Sequence, residues 1–267
     1  MSTKAPLELF IGPCVLESEA LALEIATSLK KNLEPFKDKI KLTFKGSFDK
    51  ANRSSIDSYR GPGIDEGLRI LEKIKKDFGY PVITDFHYPE QASQVASVCD
   101  VLQVPAFLCR QTDMILAGAK ACQENGSRLK VKKGQFLSPE ETSNIVSKAK
   151  TYLKEDSILL TERGTTFGYN RLIVDMASFE IMKSFGVKAI HDATHCVQRP
   201  GGLGTSTGGA REQIPALAKA AIAAGADGVF METHPNPDLA KSDPTNCLSL
   251  EAIPVIVEKL LRIYEVV

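Results

Sequence analysis

Short, β-branched apolar runs alternate with longer amphipathic segments along the whole chain, and that alternation limits the fold more than any other feature. The apolar runs span 7–15, 40–48, 81–87, 101–107, 129–136, 158–163, 188–195 and 228–234, eight in all. Segments 18–33, 65–78, 89–99, 112–124, 139–153, 172–185 and 209–224 carry helical periodicity between them, and 250–264 follows the last run. Some helix starts are written locally. Ser138-Pro139-Glu140-Glu141 sets a capping hydroxyl before a proline that needs no N–H partner, with acids facing the positive end of the helix dipole. Successive strands joined through helices run parallel, with right-handed crossovers. Eight such units in 267 residues match the ~250 residues of a closed α/β barrel, the (β/α)8 or TIM fold. An open doubly wound sheet is the alternative. No low-complexity tract or break in composition divides the chain, so one catalytic domain is expected over 1–267.

Charge and cysteine usage narrow the function. Lysine plus arginine equals aspartate plus glutamate, 33 against 33, without the basic excess of a nucleic-acid or membrane-surface binder. No apolar stretch approaches the roughly 18 residues that cross a bilayer, and the first residues lack the basic-then-apolar pattern of an export signal. The six cysteines show no CxxC pairing, and a reducing cytosol is expected. Cys99, Cys109, Cys122, Cys196 and Cys247 read as structural thiols.

In a barrel, chemistry collects at the C-terminal ends of the strands. Every one of those ends is polar or charged here, while the strand starts are apolar or turn-like. Lys45, Lys50, Arg53, Lys132 and Arg163 come from the ends of strands two, five and six, which barrel closure brings to one mouth. Several cations facing one cavity repel one another unless an anion compensates, and lysine and arginine are the side chains that hold phosphate or carboxylate. A substrate, or a pair of substrates, with several negative charges follows. Cys14, His195, Glu232 and Asp243 come from the ends of strands one, seven and eight and the loop beyond, contiguous positions in a closed barrel. A thiolate, an imidazole and two carboxylates suit a divalent transition metal such as Zn, Fe or Mn, held open to substrate. His87, His191 or His234 could stand in place of His195. The glycine-rich segment 200–209 has the length and composition of a lid.

The segments KGSFDKANRSS (45–55), PAFLCRQTD (105–113), VKKGQF (131–136), ERGTTFGYN (162–170), HDATH (191–195) and METHP (231–235) closely resemble the 3-deoxy-manno-octulosonate-8-phosphate synthase family, also called 2-dehydro-3-deoxyphosphooctonate aldolases. The likeness runs along nearly the whole chain. It implies condensation of phosphoenolpyruvate with arabinose 5-phosphate in lipopolysaccharide inner-core synthesis, by homotetramers of barrels. Carried onto this chain, it places Lys45, Lys50, Lys132, Arg163 and His195 around phosphoenolpyruvate, with Gln103, Pro105 and Ala106 lining its pocket. Asn52, Arg53 and Ser54 would hold the pentose phosphate, and Arg110 would reach that of a neighbouring subunit. Lys50, Lys132, His195 and Asp243 would be the catalytic groups. Cysteine at position 14 resembles the metal-dependent branch, with Cys14, His195, Glu232 and Asp243 as ligands, whereas the metal-independent branch has asparagine there. Ser242-Asp-Pro-Thr-Asn246 departs from the loop expected in either branch.

Three rivals stand beside this reading. A 3-deoxy-arabino-heptulosonate-7-phosphate synthase would use erythrose 4-phosphate, with an acceptor loop like KPRTS where this chain has KANRSS. A metal-dependent aldolase acting on one phosphosugar would leave the second group of anion-binding residues unused. A non-catalytic barrel would not need reactive groups at all eight strand ends.

Overall fold

The computed structural model describes residues 5–53, 55–168, 170–199 and 208–267. Eight parallel strands form the barrel: β1 (Leu7–Gly12), β2 (Ile40–Lys45), β3 (Val82–Asp85), β4 (Val101–Val104), β5 (Arg128–Lys132), β6 (Ile158–Glu162), β7 (Lys188–Asp192) and β8 (Gly228–His234). Each pairs with the next, and β8 pairs with β1, so the sheet closes and the open-sheet alternative is excluded. Outside lie α1 (Glu19–Leu33), α2 (Ile64–Phe78), α3 (Ala92–Ala96), α4 (Thr112–Asn125), α5 (Ser143–Ala149), α6 (Ser178–Lys183), α7 (Ile214–Ala223) and α8 (Ala252–Tyr264). The Ser18 side chain accepts the Leu21 N–H to start α1, and Gly79, at φ 73°, ends α2 in the left-handed conformation that glycine adopts freely.

The two-residue period of the strands sorts the side chains into two cores. Leu7, Leu9 and Ile11 of β1 point outward into the apolar layer shared with the helices. Phe10 points inward and meets Ile83, Val101, Leu159, Ile190 and Phe230, which plug the barrel at mid-height. Below that plug, at the N-terminal end, buried Glu8 pairs with Arg128 at 2.8 Å and Lys188 at 2.5 Å. Above it, the interior becomes polar. In β5 the inward positions are Arg128, Lys130 and Lys132, a basic residue at each level of the barrel, while Leu129 and Val131 join the outer core.

Several helices are shorter than the periodicity predicts. The expected helix over 172–185 reduces to α6, because Leu172–Ile173 instead pairs antiparallel with Thr165–Thr166. The expected helix over 209–224 begins only at Ile214, because Gly208–Gly209 pairs with Gln198–Arg199. Segments 89–99 and 139–153 each open with one turn of 3-10 helix before a short α-helix. Apolar spacing alone does not separate a two-residue ribbon from the first turn of a helix; the pairing partner does.

Candidate active site and metal centre

Barrel closure sets Gly12 beside Glu232 in the β1–β8 register. A β-carbon on Gly12 would lie 1.9 Å from the Lys45 carbonyl oxygen, so only glycine lets β1 and β2 approach this closely at their ends. The chain then turns to present Cys14 above β8. The Cys14 thiol donates to Asp243 Oδ2 at 3.3 Å, and the donor atoms of Cys14, Glu232 and Asp243 all lie within 4.8 Å of one another. Asp243 is a non-glycine residue in the left-handed region, at φ 49°. Its carbonyl accepts the N–H groups of Asn246 and Cys247, which hold that turn. His195 Nε2 stands 3.5 Å from Glu232 Oε2 and 3.8 Å from Asp243 Oδ2. Its Nδ1 lies 2.9 Å from Asp192 Oδ2, the second partner that orients a ligating imidazole.

The other three histidines are placed elsewhere. His191 lies on the outward face of β7 against Phe179 and Cys196. His87 packs edge-on to Phe48, and His234 Nε2 is 3.6 Å from Glu17.

Polar atoms in this cluster suit a cation. Glu232 Oε1 accepts from Lys45 Nζ at 2.6 Å, but Oε2 is buried without a hydrogen bond among the described residues. Burial alone would raise the Glu232 pKa. Lys45, His195 and Lys50 outweigh it and hold the carboxyl below the usual carboxylate range. Burial and the Glu232 charge push the Cys14 thiol up, so a cation taken by this sulfur must displace its proton. The residues therefore fit a divalent transition metal in donor type and in position.

Next to this cluster the cations gather. Lys132 Nζ is 2.8 Å from Asp192 Oδ2 and 4.1 Å from the Phe230 ring centre. Burial works against the Lys50 ammonium, yet neighbouring charges, Glu232 and Asp85 among them, reverse that and raise its pKa. Arg163 is buried; Nη2 donates to Gln198 Oε1 at 2.7 Å, while Nε and Nη1 have no partner among the described residues. Buried guanidinium N–H groups left without an acceptor are costly, and an anion is the ligand that removes the cost. Gln103 is fixed from both sides: its amide donates to Asp85, and its oxygen accepts from Lys130 Nζ at 2.8 Å. Asp85 also accepts from Ser47 at 2.6 Å. Burial, with Lys132 beside it, drives the Lys130 pKa well below the ordinary lysine value. Pro105 is half-buried and Ala106 buried just beyond Gln103.

Of the predicted acceptor residues, Asn52 is exposed at the rim and Ser54 lies outside the described residues. Arg53 turns toward the Asp243 loop, donating to Ser242 Oγ at 2.7 Å and the Lys241 carbonyl at 2.9 Å, with its buried Nε unpaired among the described residues. Arg110 is exposed, and its carbonyl accepts from Lys148. The predicted lid lies outside the described residues except for Gly208 and Gly209. Asp85, Asp192, Lys130 and Gln198 are site residues with no role assigned from sequence. Both aspartates close barrel strands, so the strand-end rule could have found them. Lys130 was marked by its inward parity in β5. Gln198, beyond β7 in a segment without periodicity, carried no signal.

Cations this deeply buried at the C-terminal end of a barrel, with guanidinium donors unused, have one use, and fold and site define the class as a barrel enzyme of anionic substrates. The DAHP synthetase I family model matches residues 3–264, and the chain belongs to that family. It is 49% identical over 264 residues to the 2-dehydro-3-deoxyphosphooctonate aldolase of Protochlamydia amoebophila (strain UWE25), covering 99% of this chain and 94% of the relative. The Citrifermentans bemidjiense protein of the same name is 50% identical over 262 residues, 98% of this chain and 93% of its own. That of Desulfatibacillum aliphaticivorans is 49% identical over 259 residues, 97% and 92% respectively.

Proposed function

We propose that this chain joins phosphoenolpyruvate to D-arabinose 5-phosphate and water, giving 3-deoxy-D-manno-octulosonate 8-phosphate and inorganic phosphate, the aldol-type condensation that feeds lipopolysaccharide inner-core synthesis. The observation that carries the reading is Arg163, buried near Asp192, the ion-pair partner of Lys132, with two guanidinium nitrogens that have no partner among the described residues. That is a prepared site for a multiply charged anion. The name of the relatives, 2-dehydro-3-deoxyphosphooctonate aldolase, and the KANRSS loop favour the pentose phosphate over erythrose 4-phosphate.

The chemistry follows from the substrate. C3 of the enol attacks the aldehyde carbon, and the aldehyde oxygen takes a proton to become a hydroxyl. Water adds at C2 and loses a proton, and the hemiketal phosphate expels inorganic phosphate by C–O cleavage to leave the ketone. Lys45, Lys132, Arg163 and His195 hold the phosphate and carboxylate of phosphoenolpyruvate, with Gln103, Pro105 and Ala106 as the wall of its pocket. Lys50 and Lys132 face the charge that develops as the bond forms, and being fixed beforehand they need little reorganisation. Asn52, Arg53 and Ser54 take the pentose phosphate, joined by Arg110 from a neighbouring copy. Cys14, His195, Glu232 and Asp243 would hold a divalent metal, which supplies Lewis acidity at the aldehyde or the water when bound. Asp243 is thus both a ligand and one of the catalytic groups.

The family resemblance implies a homotetramer, and exposed Phe107, Phe136 and Phe167, on the loops after β4, β5 and β6, are apolar side chains that contact with another copy would bury. A cytoplasmic location without membrane or nucleic-acid partners follows from the balanced charge and the unpaired cysteines of the sequence; among the described residues no helix is long and apolar enough to cross a membrane.

Incubation with phosphoenolpyruvate and each aldose phosphate, with and without chelator, tests this. Phosphate should be released with arabinose 5-phosphate and fall on chelation. No release with that sugar sinks the assignment, and release insensitive to chelator sinks the metal.

A further inference from the structure

Asp243 and Arg163 belong to the two halves of the site, and one side chain touches both. The Gln198 amide oxygen accepts from Arg163 Nη2 at 2.7 Å, and its nitrogen donates to Asp243 Oδ1 at 3.0 Å. Both ends of the amide are therefore committed, and in one orientation only: turned over, it would face a donor to Arg163 and an acceptor to Asp243. The other Asp243 oxygen, Oδ2, takes the Cys14 thiol at 3.3 Å and lies 3.5 Å from Ser242 Oγ, which accepts from Arg53. Gln198 starts no long element. It sits in a two-residue strand pairing with Gly208–Gly209, and Gly209 presses against the buried Asn246 amide of the Asp243 loop. The residue is thus braced where the two halves meet.

We propose that Gln198 is a positioning residue that couples anion binding at Arg163 to metal binding at Asp243. It does so by fixing the guanidinium and the carboxylate relative to each other. An anion that takes up Arg163 holds that arginine in place. Through the amide it also holds Asp243 Oδ1, which fixes the rotation of the carboxylate and keeps Oδ2 directed at Cys14. Cation capture at the cluster orders the same amide from the other side. Coupling between two sites is reciprocal, so each ligand tightens the other by the same factor.

The inference rests on the proposed function, and binding equilibria separate the two. Phosphoenolpyruvate is titrated calorimetrically into the full chain with and without Mn²⁺, and Mn²⁺ binding is followed by electron paramagnetic resonance with and without phosphoenolpyruvate. In the parent protein each ligand should tighten the other by roughly five-fold or more. Gln198→Met removes both arms, and Gln198→Asn keeps the amide but shortens its reach by one methylene. Both should keep each ligand's separate binding while the mutual factor falls toward one; Gln198→Met, which leaves Arg163 Nη2 without its acceptor, should also lower the unfolding temperature. A role in folding alone would lower the unfolding temperature and leave the factor intact, which overturns the proposal. So does undiminished coupling in both variants. A parent protein that binds neither ligand overturns the proposed function and this inference with it.

Discussion

His191 offers a quantitative test of how the barrel treats a histidine that is not at the reacting centre. It is fully buried on the outward face of β7, packed edge-on to Phe179, with Nδ1 unpaired and Nε2 3.7 Å from the Cys196 sulfur. Burial pushes its pKa down from 6.5 to about 4, Asp192 opposing only in part. The unfolded chain therefore takes up a proton near pH 6.5 that the folded chain refuses until about pH 4, and stability is lost as pH falls through that window. The linkage withdraws about 2 kcal/mol at pH 5 and about 3 kcal/mol at pH 4 relative to neutral pH. His191→Leu removes the titrating group and the unpaired nitrogen, so at pH 7 its unfolding free energy should lie within about 1 kcal/mol of the parent's. Urea unfolding at half-unit steps from pH 7 to pH 4 then reads the difference between the two proteins. It should grow in favour of the variant by about 3 kcal/mol across that range. Phosphate release at pH 7 should be unchanged, because His195 rather than His191 stands at the donor cluster. A constant offset between the two stability curves would refute the argument, since carboxylate titrations are common to both proteins.

Two further outcomes follow from the site. Cys14→Asn removes the thiol and should lower the metal content after dialysis while leaving phosphate release less sensitive to chelator; a variant wholly inactive without metal counts against the assigned role. Gly209→Ala places a β-carbon 1.4 Å from Asn246 Oδ1, an overlap that must displace either the buried Asn246 amide or the 208–209 ribbon. A loss of about 1–3 kcal/mol in thermal unfolding is expected, with weaker Mn²⁺ binding, and an unchanged melting temperature would contradict the contact.

Much of this molecule is legible without coordinates because its strands repeat a simple rule. Alternating parity in β1 separates Phe10 from Leu9 and Ile11, and the same parity in β5 sends Lys130 and Lys132 inward. The ends of the strands then name Cys14, Lys45, Arg163, His195 and Glu232 as site candidates. Helix limits were less legible. Leu172–Ile173 and Gly208–Gly209 spend their backbone groups on partners in the loop before each, and local periodicity holds no record of that.

The linear chain by itself determined the barrel and the anionic character of its ligands, since strand–helix alternation and cations at strand ends are local properties. Tertiary structure alone decided which groups act together. His191 and His195 share one motif, yet strand parity turns the first toward Phe179, while the turn after β7 sets the second beside Glu232. Arg53 reaches the Asp243 loop, and Gln198 meets both Arg163 and Asp243, across distances in sequence that no spacing rule spans. Only closure of β8 onto β1 brings the two ends of the chain to one mouth, where buried charges far apart in sequence, such as Lys45 and Glu232, become partners.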